Sequence, residues 1–315
     1  MSRPPIVHLL VWGLLCGTAL AQEPAVAPSQ VDRAQALVAA VLDEGVPGVA
    51  AGVARRGEVL WAEGFGFADL EHRVPVTDQT LFRIASLSKP LTTAGLMKLV
   101  EKGTLDLDAE IQRYLPDFPV KEKGAVTTRL LAGHLAGIRH YRDREMLSTE
   151  SYPTVGSALA IFRDDPLLHT PGSKYLYSSY GFNLVSAVME SAAGLPFLDF
   201  MQREVFEPLG MEHTVADEPS RIVEHRARCY LRRRGAFVNA PYVDNSCKWA
   251  GGGFLSCVPD LLKLGSAHLE PGFLTAKSLE TLSQSQQTSA GERTGYSLGW
   301  GVGPRRLSHS GGAVG

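Results

Sequence analysis

A serine and a lysine stand three positions apart in the stretch SLSK at residues 86–89. On a helix this spacing places the Ser86 and Lys89 side chains on one face, with their Cβ atoms about 5–6 Å apart. A serine hydroxyl becomes a strong nucleophile when a neighbouring base takes its proton, and a lysine amine can be that base when burial lowers its pKa. A helix N-terminus also stabilises a developing oxyanion. The alternative role of Ser86 is a simple N-cap, the usual function of serine at a helix start.

Two later motifs favour the chemical interpretation. The first is YSS at residues 177–179, directly before an apolar helical pattern, and the second is HSGG at residues 309–312, on a predicted late strand. Acyl transfer needs these parts: a nucleophile with its base, a phenol, and a polar strand edge with small glycines. Plain aromatic core is the alternative role of Tyr177 and Tyr180.

The elements that must position these motifs follow from hydrophobic periodicity and from glycine and proline. QVDRAQALVAAVLDEG predicts a helix that ends at Gly45, and the next segment predicts a hairpin around the turn RRGE, on which that helix packs. SLSKPLTTAGLMKLVEKGTL predicts a helix with Pro90 in its first turn and Gly103 at its end. GGGFLSC, GYSLGWGVG and RRLSHSGGAVG predict strands, with a tight turn at the three glycines 251–253.

This order of strands, a helical middle and strands again predicts an α+β fold. We expect an antiparallel sheet flanked by helices, with an inserted all-helical subdomain. The predicted domain covers residues 31–315, and the helical subdomain covers about residues 105–225. We expect no metal or other cofactor, because the cysteines and histidines lack zinc-like spacing. His134 and His140, in the segment HLAGIRHY, are expected to be structural for the same reason.

The N-terminal residues predict export. Residues 1–21 have the pattern of a signal peptide, in which Arg3 precedes an apolar run and small residues at Ala19 and Ala21 mark a cleavage site. Residues 22–30 are rich in proline and alanine and predict a linker. A periplasmic or extracellular protein follows, and contact with a membrane is expected only if the signal stays uncleaved.

Charge and cysteine content narrow the class of protein. The 315 residues carry a formal net charge of -2, so no overall field favours nucleic acid or an anionic membrane, and neither is expected as a partner. Signal removal would leave Cys229, Cys247 and Cys257. These either form one disulfide with one free thiol or serve as small apolar residues, and the spacing selects no pair.

The three motifs in order, S-x-x-K, Y-x-S and H-x-G, resemble those of the serine β-lactamase and penicillin-binding-protein superfamily, on its class C and esterase-like side. The surrounding phrases TLFRIASLSKPLT, HTPGSKYLYSSYGFNLV and AGGGFLSCVPDLLKL are similar to phrases of that family in the same order. The likeness runs from about Val46 to the last residue. It implies the α+β fold described above and acyl transfer on a serine.

The resemblance also implies roles for the reacting groups. Ser86 would be the acylated nucleophile, and Lys89 would accept its proton. Tyr177 would be a second acid/base group that passes a proton to the leaving group and assists a water in deacylation. An unperturbed phenol has a pKa of about 10, so two ammonium-like neighbours would hold it reactive. Lys89 would be one of them, and a protonated His309 the other.

Substrate-binding positions follow from the same resemblance. Ser179 stands where many members of the family have asparagine, so it offers a hydroxyl in place of an amide and argues against efficient β-lactam turnover. His309 replaces the commoner lysine, which is typical of the esterase and peptidase branches. Gly311 and Gly312 follow, and the Gly312 N–H would form the oxyanion hole with the N–H of Ser86.

The functional prediction is an exported serine hydrolase that acts on amide or ester bonds, peptidase-, esterase- or β-lactamase-like, through an acyl-enzyme on Ser86. Its partner would be a small-molecule or peptide acyl substrate. The alternative is a catalytically weak or inactive scaffold of the same fold, with self-association. The family fold continues past H-x-G with further strands and a C-terminal helix, so we expect this chain to be a fragment that ends early, with an open sheet edge.

Overall fold

The computed structural model describes residues 28–314. The predicted signal peptide at residues 1–21 lies outside the described residues. Helix α1 (Pro28–Asp43) begins within the last residues of the predicted linker. Strands β1 (Gly48–Arg55) and β2 (Glu58–Asp69) then form the predicted antiparallel hairpin.

The hairpin turn and its packing follow the sequence pattern. Arg56 and Gly57 both have positive φ, as the two-residue turn favoured by twisted hairpins requires. Helix α1 packs on the hairpin, where the amide of Gln35 donates a hydrogen bond to the Glu63 carboxylate at 2.9 Å. The predicted contact between the first helix and the hairpin is therefore confirmed.

Further short strands and helices follow the hairpin. The remaining strands are β3 (Val74–Pro75), β4 (Phe82–Arg83), β5 (Val215–Ala216), β6 (Tyr230–Arg233), β7 (Ala236–Asn239), β8 (Phe254–Ser256), β9 (Gly301–Gly303) and β10 (Arg306–Ser308). The remaining α-helices are α2 (Ser88–Glu101), α3 (Thr128–Ala132), α4 (Val155–Ala158), α5 (Ser179–Ala193), α6 (Phe197–Met201), α7 (Glu207–Leu209), α8 (Trp249–Gly252), α9 (Val258–Ala267) and α10 (Ala276–Ser283). Single 3-10 turns occur at Ala85–Leu87, Ile111–Arg113, Glu145–Leu147, Leu159–Ile161 and Ser246–Lys248, and a π-helical turn at Gln202–Phe206.

Hydrogen bonding groups the strands of residues 28–314 into small antiparallel sheets, in the orders β1-β2-β3, β4-β8-β5, β6-β7 and β9-β10. Helices surround them, so the predicted α+β class is confirmed. Strand β5 falls inside the segment predicted to be all-helical. Its two residues pair with β8, the strand that directly follows the glycines 251–253.

Three local predictions near the late strands need correction. The glycines 251–253 do not form a tight turn: Gly251 and Gly252 close helix α8, and Gly253 follows it. Within GYSLGWGVG only the last three residues form a strand, β9. Strand β10 ends at Ser308, so the HSGG motif lies just beyond a strand rather than on it. In each case glycine-rich backbone follows tertiary packing more than its local pattern.

The hydrophobic core surrounds helices α2 and α5. Helix α2 is buried on all sides over its first ten residues, where the sequence predicted one apolar face. Helix α5 is buried from Ser179 to Met189 and packs on α2, and α8 packs against both. Polar groups at the start of α2 are therefore removed from water.

Among residues 28–314, no single helix has the length and apolarity to cross a membrane. One bent pair, α5 with the segment Phe197–Leu209, has this length and apolarity when the two parts are taken together, across a bend of 78°.

The three cysteines of the described region, Cys229, Cys247 and Cys257, are free thiols, and the last two are buried. Burial raises the pKa of each thiol. Of the two roles left open by the sequence, the structure places them as small apolar residues.

Candidate active site

Ser86 sits in the single 3-10 turn that leads into helix α2. The preceding residue, Ala85, has a φ of 47°, a left-handed conformation that is strained for a residue with a side chain. Such strain is tolerated where packing holds it, and it collects at functional sites. Ser86 is partly exposed, and no side-chain cap forms at either helix start, so the simple N-cap role does not apply.

Lys89 lies completely buried next to this serine. Its Nζ donates to Ser86 Oγ at 3.1 Å, to Ser179 Oγ at 3.3 Å and to the carbonyl of Gly251 at 2.6 Å. Burial lowers the pKa of the amine to about 7. The amine therefore exchanges a proton readily at neutral pH, as a general base must. No sequence motif indicated that the Gly251 carbonyl completes this arrangement.

Tyr177 reaches the same serine from the other side. Its phenol donates to Ser86 Oγ at 2.8 Å, and Lys89 Nζ lies 4.8 Å from the centre of its ring. Burial raises the pKa of the phenol above its ordinary value, although its hydrogen bond to Ser86 opposes the shift. The phenol is thus a proton donor at neutral pH. The structure brings together Ser86, Lys89, Tyr177 and Ser179, as the motif order predicted.

Two histidines hold the segment that carries Tyr177. The Ser178 N–H donates to His134 Nδ1 at 3.2 Å, and the Ser179 N–H donates to His140 Nδ1 at 3.1 Å. The His134 ring also packs against the Tyr177 ring, with centroids 4.3 Å apart. Burial of the His134 ring, partial desolvation of the more exposed His140 ring, and the Lys89 charge lower the pKa of both imidazoles, which fits their roles as neutral acceptors. They are structural, as predicted, but what they position is the site itself.

The sequence reading could not have found this role of the two histidines. A histidine that accepts a backbone N–H leaves no motif, and the contacts join residues 44 and 39 positions apart. The one available signal is indirect: the backbone N–H groups at the start of α5, whose N-cap is Ser178, need acceptors from elsewhere in the chain.

His309 differs from the prediction in its charge and its partner. Its Nε2 lies 2.9 Å from the phenol oxygen of Tyr296, and its Nδ1 lies 2.6 Å from the carbonyl oxygen of Ser310. Burial lowers the pKa of His309 to about 4. The imidazole is therefore neutral at pH 7, and the prediction that a protonated His309 is the second cation beside Tyr177 is wrong. The amine of Lys89, 4.8 Å from the centre of the Tyr177 ring, is the predicted neighbour that the structure does place beside that phenol.

The glycines after His309 lie against the backbone that precedes the serine. A Cβ on Gly311 would lie 2.4 Å from the Ile84 carbonyl oxygen, so this position requires glycine. Gly312 has open space where a Cβ would lie. Farther along, Arg83 Nη1 donates to the Val314 carbonyl at 3.0 Å, while its Nε pairs with Asp217 at 2.6 Å. The glycine segment is thus fastened beside Ser86.

Two depressions meet at the serine. One is a cavity of about 90 Å³ that reaches from Ser86 and Ser179 to Lys248. The other is a more open cleft of about 430 Å³, bordered by Tyr296 and His309. Ser86, Tyr177 and Gly312 line both. A bond held over Ser86 could therefore extend one substituent into each depression.

A separate surface group contains metal-ligand atom types. Asp69, Glu71 and His72 place one ligand atom each within 4.8 Å of one another. The Glu71 carboxylate already accepts hydrogen bonds from Arg228 and Asn239. Glu71 and His72 are exposed and Asp69 is half-buried, and the group is no part of the site around Ser86.

An α+β fold in which a buried lysine and a tyrosine each hydrogen-bond the same serine hydroxyl is typical of serine hydrolase-like proteins of the β-lactamase type. Comparison with known proteins gives the family. The family model described as Beta-lactamase matches residues 33–315. The chain therefore belongs to the beta-lactamase family, as its motifs predicted.

Individual relatives agree with this assignment. The human serine beta-lactamase-like protein LACTB, mitochondrial, is 34% identical over 385 residues, which cover 90% of this chain and 70% of the relative. The octameric penicillin-binding protein homologue from Pyrococcus abyssi matches with a TM-score of 0.73 and 25% identity, over 86% of this chain and 64% of that one. EstCE1, a hydrolase with promiscuous acyltransferase activity, matches with a TM-score of 0.73 and 26% identity, over 90% and 83%. This chain thus spans less than two thirds of the Pyrococcus chain.

Proposed function

We propose that the protein is a serine hydrolase that cleaves amide or ester bonds through an acyl-enzyme on Ser86. One observation carries the proposal: Ser86 Oγ is in hydrogen-bond contact with a buried amine whose pKa is about 7 and, at the same time, with a protonated phenol. A base and an acid on one hydroxyl are what the two halves of acyl transfer need.

The proposed acylation proceeds by three proton transfers. As Ser86 Oγ bonds to the substrate carbonyl carbon, its proton passes to the neutral amine of Lys89. The bond between that carbon and the leaving group then breaks, and the leaving group takes the phenol proton of Tyr177. The ammonium of Lys89 returns a proton to the phenolate, which restores both groups. In deacylation a water replaces the leaving group, and the same transfers run in reverse.

The proposed oxyanion hole consists of the N–H groups of Ser86 and Gly312. Both residues line the two depressions that meet at the nucleophile. The close approach of Gly311 to Ile84 supports this assignment, because it holds the glycine segment against the residues that precede Ser86. Two backbone donors aimed at the developing negative charge stabilise the tetrahedral intermediate.

Ser179 and His309 are proposed to bind the substrate. The Ser179 hydroxyl lies 3.3 Å from Lys89 Nζ, so it can bond the substrate while it stays in contact with the base. A hydroxyl is less suited than an asparagine amide to the amide of a β-lactam, which favours esters and peptides. The hydrolase and acyltransferase activity named for EstCE1 supports an acyl substrate.

A fluorophosphonate probe tests the proposed nucleophile. We expect one probe per chain, on Ser86, as located by mass spectrometry of the labelled peptide. Ser86→Ala should abolish labelling. Ser88→Ala is the matched control, since it removes a buried hydroxyl that accepts a hydrogen bond from the Phe254 N–H at 3.3 Å and none from the reacting groups, and it should leave labelling intact. Equal labelling of wild type and Ser86→Ala would refute the proposal.

Export is a separate proposal, which rests on residues 1–21 and not on the relatives, since LACTB is described as mitochondrial. Cleavage after Ala21 would give a mature chain that begins at Gln22. N-terminal sequencing of the protein from the periplasm or medium of an expressing bacterium checks this. An intact N-terminal methionine on protein from the cytoplasm would contradict it.

Assembly without turnover is the second candidate. The octameric penicillin-binding protein homologue supports self-association, and Ser179 in place of asparagine supports weak catalysis. A full-length protein that forms a defined oligomer by light scattering, equally well as Ser86→Ala, and hydrolyses no ester would favour this role.

A further inference from the structure

A second buried amine, that of Lys248, lines the cavity beside Ser86. Lys248 is only 7% exposed and ends the 3-10 turn before helix α8. Its Nζ donates to the Met146 carbonyl at 3.1 Å and lies 5.6 Å from the centre of the Tyr141 ring. Both of these contacts also line the cavity.

The charge on Lys248 has no anionic partner within residues 28–314: no carboxylate of this region lies within ion-pair distance. The nearby carboxylate of Asp217 receives Arg83 Nε at 2.6 Å and Asn245 Nδ2 at 2.5 Å on its Oδ2, while its Oδ1 lies 3.9 Å from Arg226 Nη2. Asp244, the other acidic group close by, accepts the Ser246 N–H at 2.8 Å. The ammonium has three donors and uses one of them on the Met146 carbonyl.

A buried cation without a counter-ion is costly, and proteins normally pair such charges or use them. Here the cation borders a small cavity that also contains the nucleophile. A carboxylate in that cavity would give the two remaining donors of Lys248 a partner. Hydrogen bonds between charged groups are roughly twice as strong as those between neutral groups.

We propose that Lys248 is a specificity-determining residue that binds a carboxylate on the acyl part of the substrate, a few bonds from the scissile carbonyl. This inference rests on the proposed acyl-enzyme function. It assigns the cavity of about 90 Å³ to an anionic acyl group and leaves the open cleft for the leaving group. The preferred substrates are then esters or amides of dicarboxylic or acidic acyl groups, rather than of plain fatty acids.

Two p-nitrophenyl esters of matched shape test the preference: the hydrogen glutarate and the neutral 5-methylhexanoate, with spontaneous hydrolysis subtracted. We expect wild type to favour the glutarate in kcat/KM by about 10-fold or more, as one charge-assisted bond allows. Lys248→Met should bring the ratio near one, mainly through a higher KM for the glutarate. Lys174→Met, an exposed position with the same change of net charge, should leave the ratio as it is.

Further readouts separate this inference from the proposed function. Fluorophosphonate labelling of Lys248→Met at the wild-type rate shows that the fold and nucleophile are intact, and wild type without labelling would refute the proposed function itself. Free glutarate should bind Ser86→Ala by calorimetry and should fail to bind the double variant with Lys248→Met. The inference is overturned if wild type labels normally but shows no preference for the glutarate ester, or if Lys248→Met keeps the preference.

Discussion

Lys89 Nζ lies 3.1 Å from Ser86 Oγ, and no part of the lysine side chain is exposed. Because burial lowers the pKa of this amine to about 7, its basic form grows over the neutral range. We expect the rate of fluorophosphonate labelling to rise with pH and to level off above about pH 8. Labelling rates in a series of buffers of constant ionic strength measure this. A rate that is flat from about pH 5 to 9 would rule out Lys89 as the base.

Replacement of Lys89 by methionine should alter the pH dependence of stability. The pKa of this lysine is about 7 in the folded protein and 10.5 for an unperturbed lysine, so between these limits the unfolded chain binds more protons. The buried amine therefore lowers the free energy of unfolding of wild type by its full amount below pH 7. This destabilisation decreases as the pH rises toward 10.5.

Lys89→Met removes this penalty. Its free energy of unfolding relative to wild type should be highest below about pH 7 and should decline above it, by up to about 1.4 kcal/mol per pH unit. Calorimetric scans of both proteins at matched pH measure the difference. A difference independent of pH would mean that Lys89 keeps an ordinary pKa.

Tyr177→Phe should slow acylation by about 10²–10⁴-fold, the usual contribution of a general acid. The loss should be smaller for a p-nitrophenyl ester than for an alkyl ester or an amide, because p-nitrophenolate leaves without a proton. Stability should change little, because the hydrogen bond that is lost, from the phenol to Ser86 Oγ at 2.8 Å, joins it to a partly exposed hydroxyl. Comparison of kcat/KM for the three leaving groups tests this. Equal losses for all three would assign Tyr177 to positioning.

His140→Ala should weaken catalysis by disturbing Ser179. The imidazole accepts the Ser179 N–H at 3.1 Å, and a donor left without a partner costs about 1–3 kcal/mol. We expect labelling to slow about 10-fold or more, because a cost of this size raises the free energy of the arrangement that reacts. His213→Ala, at an exposed position, is the control and should behave as wild type. Unchanged labelling in His140→Ala would show that Ser179 is held by helix α5 alone.

Gly311→Ala should damage both stability and labelling. A Cβ there would lie 2.4 Å from the Ile84 carbonyl, so the segment that carries Gly312 must move away from Ser86. The matched control is Gly265→Ala in helix α9, where a Cβ meets nothing within 4 Å and alanine should stabilise by about 0.5–1 kcal/mol. Thermal melts and labelling of both variants measure the contrast. Wild-type labelling of Gly311→Ala would contradict the proposed oxyanion hole.

Much of the fold and part of the candidate site were predictable because they depend on local patterns. The three-residue spacing across the 3-10 turn into α2 brings Ser86 and Lys89 together, and the RRGE turn specifies the first hairpin. The serine before an apolar helical pattern marks the start of α5, where the Ser178 hydroxyl caps the Gly181 N–H. The order of three motifs then gave the family, which the family model confirms.

The predictions that failed concern residues whose state depends on burial. The charge of His309 was expected from its position in the motif, but its packing against Tyr296 and its burial hold it neutral. The glycines 251–253 carry no local signal for a helix end, and Gly251 has its role only because α8 packs on α2.

The sequence by itself determined which residues meet within one helical turn and in what order the motifs occur. The tertiary structure decided their chemistry. Lys89 contacts Ser179, 90 residues away, and Gly251, 162 residues away. These distant elements exclude water from the amine, and that exclusion lowers the pKa of Lys89. Desolvation is a property of packed surfaces and not of spacing along the chain, which is why only the folded protein could show a base poised near neutral pH.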